Sequence, residues 1–196
     1  MNSFKELAQR AREFHTIRNE ALDLCASLTS EQFNWRPQPG VWSVGQCLEH
    51  LHLANRQYLI NIGRAISEAR VKHRFGEGPF RYGPLDWLMP RLVQPPVKLK
   101  VPAPGNLAPR PGLDPDAVLE EFLLQHEKIL DRVADARGLH LRRVKVESLI
   151  SEWLRFSLGP TFAIVSAHDR RHLVQVKELL TRMEPATPSA SQIAHS

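Results

Sequence analysis

Apolar residues recur at three- and four-residue steps in four separate stretches of this chain, and each stretch predicts an amphipathic helix. The first runs from about Phe4 to Leu28, with Leu7, Ala11, Phe14, Ile17, Ala21, Leu22 and Cys25 on one side. His15 and Arg18 fall between these positions, which makes His15 a solvated or interfacial side chain. The second begins close to Ser43, a good N-cap, and Gln46 three residues later completes a capping-box pattern. It runs to about Arg70 with Val44, Leu48, Leu51, Tyr58, Leu59, Ile62 and Ile66 as its stripe. Asp114-Pro115 opens the third, an acidic N-cap followed by proline at the first helical position. Val118, Leu119, Phe122, Leu123, His126, Leu130 and Val133 form its stripe, it ends near Ala136, and Gly138 supplies the stop. Gly159-Pro160-Thr161 opens the fourth, which reaches about Met183 on a stripe of Phe162, Val165, Leu173, Val176, Leu180 and Met183.

The segments between the helices carry turn and breaker signals. Thr29 to Pro37 interrupts the first pattern and Pro39-Gly40 marks a turn. From Val71 to Gly112, nine prolines from Pro79 to Pro111 exclude a long helix. A short helical turn is expected around Leu85-Asp86-Trp87-Leu88, and Val97 to Val101 alternates like a piece of strand. A connection of this length is usually functional or packed as a layer of its own. With Phe80, Tyr82, Trp87 and Leu88 in it, a packed crossover that walls a pocket is expected. Val144 to Phe156 fits a short helix or a packed loop equally well. The sum is an all-α four-helix bundle with a long Pro-rich crossover between helices two and three. Residues 1–184 form a single domain, and residues 185–196, rich in Pro, Ser and Ala, a flexible tail.

Composition narrows the function classes. A chain of 196 residues with 42% hydrophobic and 24% charged residues has the balance of one soluble globular domain. No stretch approaches the roughly 20 apolar residues of a membrane span. The N-terminus has neither a basic nor an apolar signal region, which argues against secretion. Cys25 and Cys47 read as buried thiols in a reducing cytoplasm. A net charge of +5 and a pI near 9.6 raise the question of nucleic acid. The basic residues are scattered, with only short pairs such as Arg142-Arg143 and Arg170-Arg171, and no aromatic residues are interleaved with them. That argues against a nucleic-acid partner.

The candidate chemistry lies in the fourth helix. His168 and His172 are four apart and share a helical face, the spacing at which one helix offers two imidazoles to a transition metal. A third donor must come from elsewhere. His50 and His52 on the second helix lie about 200° apart on the helical wheel, so they cannot serve one ion together. Periodicity leaves the choice between them open. His126, on the apolar face of the third helix, reads either as a hydrogen-bonded core histidine or as lining a site. Asp169 falls on the apolar stripe and, if buried, needs a partner such as an arginine. Three histidines on facing helices of a bundle, with positions left open, suit a catalytic rather than a structural metal.

Two motifs carry a resemblance. Trp42-Ser43-Val44-Gly45-Gln46-Cys47-Leu48-Glu49-His50-Leu51 resembles the first ligand motif of the DinB/YfiT-like superfamily. His168-Asp169-Arg170-Arg171-His172-Leu173-Val174-Gln175 resembles its second, an H-x-x-x-H on the last long helix. The resemblance implies that His50, eight positions after Trp42, is a metal ligand with His168 and His172, and that His52 is a neighbour. It implies a four-helix bundle, often a homodimer, binding a divalent metal such as zinc or nickel and acting on small molecules. Characterised members include transferases that use bacillithiol, mycothiol or related low-molecular-weight thiols, and a thiol-dependent isomerase. The expected function is therefore a metal-dependent transferase that activates a low-molecular-weight thiol. The alternatives are a metal-dependent hydrolase, or a non-enzymatic metal-binding stress or interaction protein with a fourth ligand such as His126 closing the site. Glu49, Asp169 and Gln175 are candidates for orienting roles, and Arg170 and Arg171 for attracting an acidic thiol or for surface and dimer contacts.

Overall fold

A computed structural model describes residues 2–95, 105–151 and 153–183. Four long helices carry the architecture: α1 (Ser3–Cys25), α3 (Val44–Val71), α5 (Pro115–Asp135) and α6 (Leu158–Arg182). The principal contacts join α1 to α5 and α6, and α3 to the same two helices, so α1 and α3 face each other across the bundle. Phe14, Ile17, Leu48, Leu51, Ile62, Phe122, Ile129, Phe162 and Val176 are enclosed between them. The expected four-helix bundle is present, with each long helix starting and ending within about three residues of its predicted bounds.

Local chemistry explains the starts. Ser43 Oγ accepts from the Gln46 amide, and the Gln46 side chain accepts from the Ser43 amide, closing the expected capping box at the head of α3. Asp114 caps α5 by accepting from the Ala117 amide, with Pro115 in the first turn. At the head of α6 the cap comes from outside: Asp86 accepts from both the amide and the hydroxyl of Ser157.

Several connections depart from expectation. The Thr29–Pro37 interruption contains a short helix, α2 (Ser30–Asn34), closed by a second capping box between Thr29 and Gln32. In the crossover, the expected turn is a ten-residue helix, α4 (Pro84–Val93), that runs through Pro90 and packs on α6. Phe80 and Tyr82 pack on the core as expected. Trp87 and Leu88 do not, and remain largely exposed. The strand-like stretch at Val97–Val101 and the tail at 185–196 lie outside the described residues. Val144–Phe156 is neither helix nor simple loop. It holds an antiparallel pair, β1 (Lys145–Glu147) and β2 (Arg155–Ser157), with Val146 opposite Phe156 and both buried. Cys47 is buried, but Cys25 lies at the half-exposed end of α1 and corrects the expectation for that thiol. No described helix is long and apolar enough to cross a membrane.

Candidate metal centre

The bundle places His50 of α3 against His168 and His172 of α6. One ring nitrogen from each lies within 4.8 Å of the other two. Nε2 of His50 and Nε2 of His168 are 3.3 Å apart, and the three rings meet edge to face at centroid distances of 4.8–5.2 Å. His50 and His172 are buried and His168 is half-buried, so the cluster meets solvent at the His168 edge. The four-residue step along α6 does what periodicity predicts, and the capping box fixes where α3 begins, setting His50 two turns in.

Hydrogen bonds set the rings. His50 Nδ1 donates to the Leu107 carbonyl at 2.8 Å, since a carbonyl only accepts. His172 Nδ1 donates to Gln175 Oε1 at 3.2 Å. Both bonds leave Nε2 without a proton, as a metal ligand requires. Trp42 closes one side, stacked on His172 at 23° and 5.8 Å and tilted over His50 at 4.9 Å. Burial pushes the pKa of all three histidines down, and neighbouring charge adds to it. His172 falls to about 3 through burial first, then His50 and Arg171. His168 falls well below the ordinary value through burial, His172, His50 and Arg171, and His50 falls through burial despite its bond to Leu107. The cluster is thus three neutral imidazoles.

The donor set fits a transition metal. With metal–nitrogen bonds of about 2.0–2.1 Å, neighbouring ligand atoms in a tetrahedral site stand about 3.3–3.4 Å apart, close to the spacing of the His50 and His168 Nε2 atoms.

The remaining candidates lie elsewhere. His52 is half-buried and lines a separate cavity of about 270 Å³ with Arg110, Gly112, Leu113, Asp114 and Glu121. Residues 110–112 of the crossover wall that pocket, beside His52. His126 is enclosed; its Nδ1 faces the Phe122 carbonyl at 3.0 Å and its Nε2 faces Asp169 at 3.2 Å. Asp169 therefore has a histidine partner, plus Asn55, instead of an arginine. Glu49 binds Arg110, Arg170 lies 3.6 Å from Glu13 of α1, and His15 is exposed. Of the three orienting candidates, Gln175 alone touches a cluster histidine directly.

The sequence profile of the DinB superfamily matches residues 13–176, which include all three histidines. The chain belongs to the DinB superfamily. A comparison with curated proteins finds no match. Among solved structures, this DinB-superfamily chain is similar to YfiT from Bacillus subtilis, described as a probable metal-dependent hydrolase with an unusual four-helix bundle topology. The match has a TM-score of 0.58 at 16% identity, covering 90% of this chain and 87% of that one. At that identity the likeness establishes the DinB-type bundle and leaves the chemistry to the site itself.

Reading the sequence singled out the three clustered histidines but missed two contributors. Trp42 served only as a motif landmark, although its place just before the N-cap of the helix that carries His50 marks it as a neighbour of that site. The Leu107 carbonyl left no signal, because a backbone acceptor can belong to any residue type.

Proposed function

We propose that His50, His168 and His172 hold one divalent transition-metal ion, zinc or nickel, and that the protein is a metal-dependent transferase activating a low-molecular-weight thiol. The convergence of three neutral imidazoles from two facing helices carries this reading. Imidazole ligands suit both metals. When bound, the ion supplies a Lewis acid that lowers the pKa of a thiol or a water toward neutrality.

The chain's own residues have separable tasks. The three rings supply donors that burial keeps unprotonated. Leu107 and Gln175 hold two of those rings in the ligating tautomer. Trp42 covers one side and excludes water there, leaving the half-buried His168 edge as the approach. The positive charge of Arg171, which disfavours protonation of all three histidines, also favours an anionic reactant. Two buried carboxylates adjacent in sequence to the ligands are already engaged, Glu49 by Arg110 and Asp169 by His126 and Asn55. A thiol, which ionises without a separate carboxylate base, suits that arrangement. The homodimer implied by the family resemblance and the cytoplasmic setting expected from the two cysteines belong to this same reading.

Hydrolysis is the second reading, and the description of YfiT as a probable metal-dependent hydrolase favours it. A purely structural metal would want a fourth protein ligand, and His126, the candidate for it, is engaged with Asp169. The separating experiment measures consumption of a panel of low-molecular-weight thiols against electrophiles, with and without metal, beside a panel of esters and amides. Metal-dependent thiol consumption supports the transferase. Metal-dependent ester or amide cleavage without it overturns that assignment in favour of the hydrolase.

A further inference from the structure

The acceptor that orients His50 belongs to neither ligand-bearing helix. Leu107 lies in a three-residue 3₁₀ turn (Gly105–Leu107) of the crossover, 57 positions along the chain from His50. The Leu107 side chain is itself buried, and a second tie holds this part of the crossover to α3. Three residues later, Arg110 donates to Glu49 from its backbone amide and its Nε, and its Nη2 lies 2.8 Å from the same carboxylate. Glu49 immediately precedes His50 on α3. Its side chain is only 1% exposed whereas that of Arg110 is 80% exposed, so the carboxylate is covered by the strap that it grips. The end of the strap has its own anchor. Leu113 donates its amide to Asn34 Oδ1 at 2.8 Å, and Asn34 Nδ2 donates back to the Leu113 carbonyl at 2.8 Å.

We infer that Glu49 and Arg110 are positioning residues for the metal centre, latching the crossover onto α3 so that the Leu107 carbonyl selects the Nδ1–H tautomer of His50 and leaves Nε2 free to ligate. The inference rests on the proposed metal site for its purpose, though the latch stands on hydrogen bonds alone. A neutral imidazole has one proton to place, and an acceptor at Nδ1 decides where it goes. Because Asn34 holds the Leu113 end, loss of the Arg110 guanidinium loosens the Leu107 end without freeing the whole strap. Arg110→Ala leaves the buried Glu49 carboxylate the Arg110 backbone amide as a donor, and Glu49→Gln removes the buried charge, so the second variant keeps the test open if the first fails to fold.

The test uses the full-length chain in two measurements. Long-range proton–nitrogen NMR of the metal-free protein reads the His50 tautomer, and titration with cobalt(II) reads metal affinity. Wild type should show Nδ1–H at His50. Arg110→Ala and the isosteric Glu49→Gln should show a mixture with Nε2–H and bind cobalt(II) about 10–100-fold more weakly, the usual cost of losing an outer-shell partner. Arg110→Lys, which keeps a charged donor, should recover most of the loss. Unchanged tautomer and unchanged affinity in both Arg110→Ala and Glu49→Gln would overturn the latch while leaving the metal site standing. A tautomer shift in the variants of a protein that binds no cobalt(II) would support the latch and overturn the metal reading instead.

Discussion

Nε2 of His126 lies 3.2 Å from Oδ2 of Asp169, and both side chains are completely enclosed in the bundle. Asn55 Nδ2 donates to the other carboxylate oxygen at 3.1 Å, so one carboxylate ties α3, α5 and α6 together beside His168. Removing the carboxylate strands two buried donors, on His126 and Asn55, at about 1–3 kcal/mol each. Asp169→Ala should therefore lower unfolding stability by about 2–6 kcal/mol in urea denaturation of the metal-free protein. A loss below about 1 kcal/mol, the range of surface pairs, would show that the pair does not hold the core.

Gly45 stands in the first turn of α3 with Phe33 of α2 directly against it. A methyl group there would overlap the Phe33 ring, which is itself fully buried and cannot swing away. Alanine normally favours a helix over glycine, but overpacking of a tight site costs about 1–3 kcal/mol and outweighs that gain. Gly45→Ala should lower the melting temperature, and Gly45→Ala combined with Phe33→Leu should lose less than the two single changes summed. Additive losses would argue against the contact.

These two sites show what the sequence makes legible. Capping residues and helical periodicity locate α3, α5 and α6 because those signals are local. The same periodicity puts His126 and Asp169 on apolar faces but cannot say that they meet, since the pairing depends on how α5 packs against α6. The Thr29–Gln32 capping box was equally local, yet its helix of five residues buries only Phe33 and leaves too little periodic pattern to stand out. The three-residue strands at 145–147 and 155–157 are too short for alternation to be told from a helical turn. His50 and His52 are the sharpest case. The helical wheel left them equivalent, the resemblance to the family motif implied His50, and the packing of α6 and the crossover turn brings His50 to the cluster and leaves His52 beside a cavity.

Acid should destabilise the metal-free protein through these histidines. His172 is held from its ordinary value of 6.5 down to about 3 by burial, His50 and Arg171. Between those pH values the unfolded chain takes a proton on this residue that the folded chain refuses. Its contribution to stability is therefore complete above about pH 6.5 and is lost as pH falls toward 3, at up to about 1.4 kcal/mol per pH unit. Denaturant melts at pH 7, 6 and 5 should show the decline, and His172→Asn should flatten it. An equal slope in the variant would place the pH dependence elsewhere.

Trp42 should report the ion. Its ring is stacked on His172 and tilted over His50, so a paramagnetic metal on those ligands sits close enough to quench its emission. Nickel(II) should reduce the intrinsic fluorescence of wild type, and Trp42→Phe should lose most of that response. Quenching that survives in Trp42→Phe would put the ion near another tryptophan.

If His50, His168 and His172 together hold one metal ion, removing one of them should release it. Elemental analysis of protein purified without chelator, set beside His172→Ala prepared identically, tests this most directly. About one equivalent of a divalent transition metal per wild-type chain is expected, with a large loss in the variant, whose site keeps only two imidazoles. Equal metal content in the two proteins would contradict the shared site.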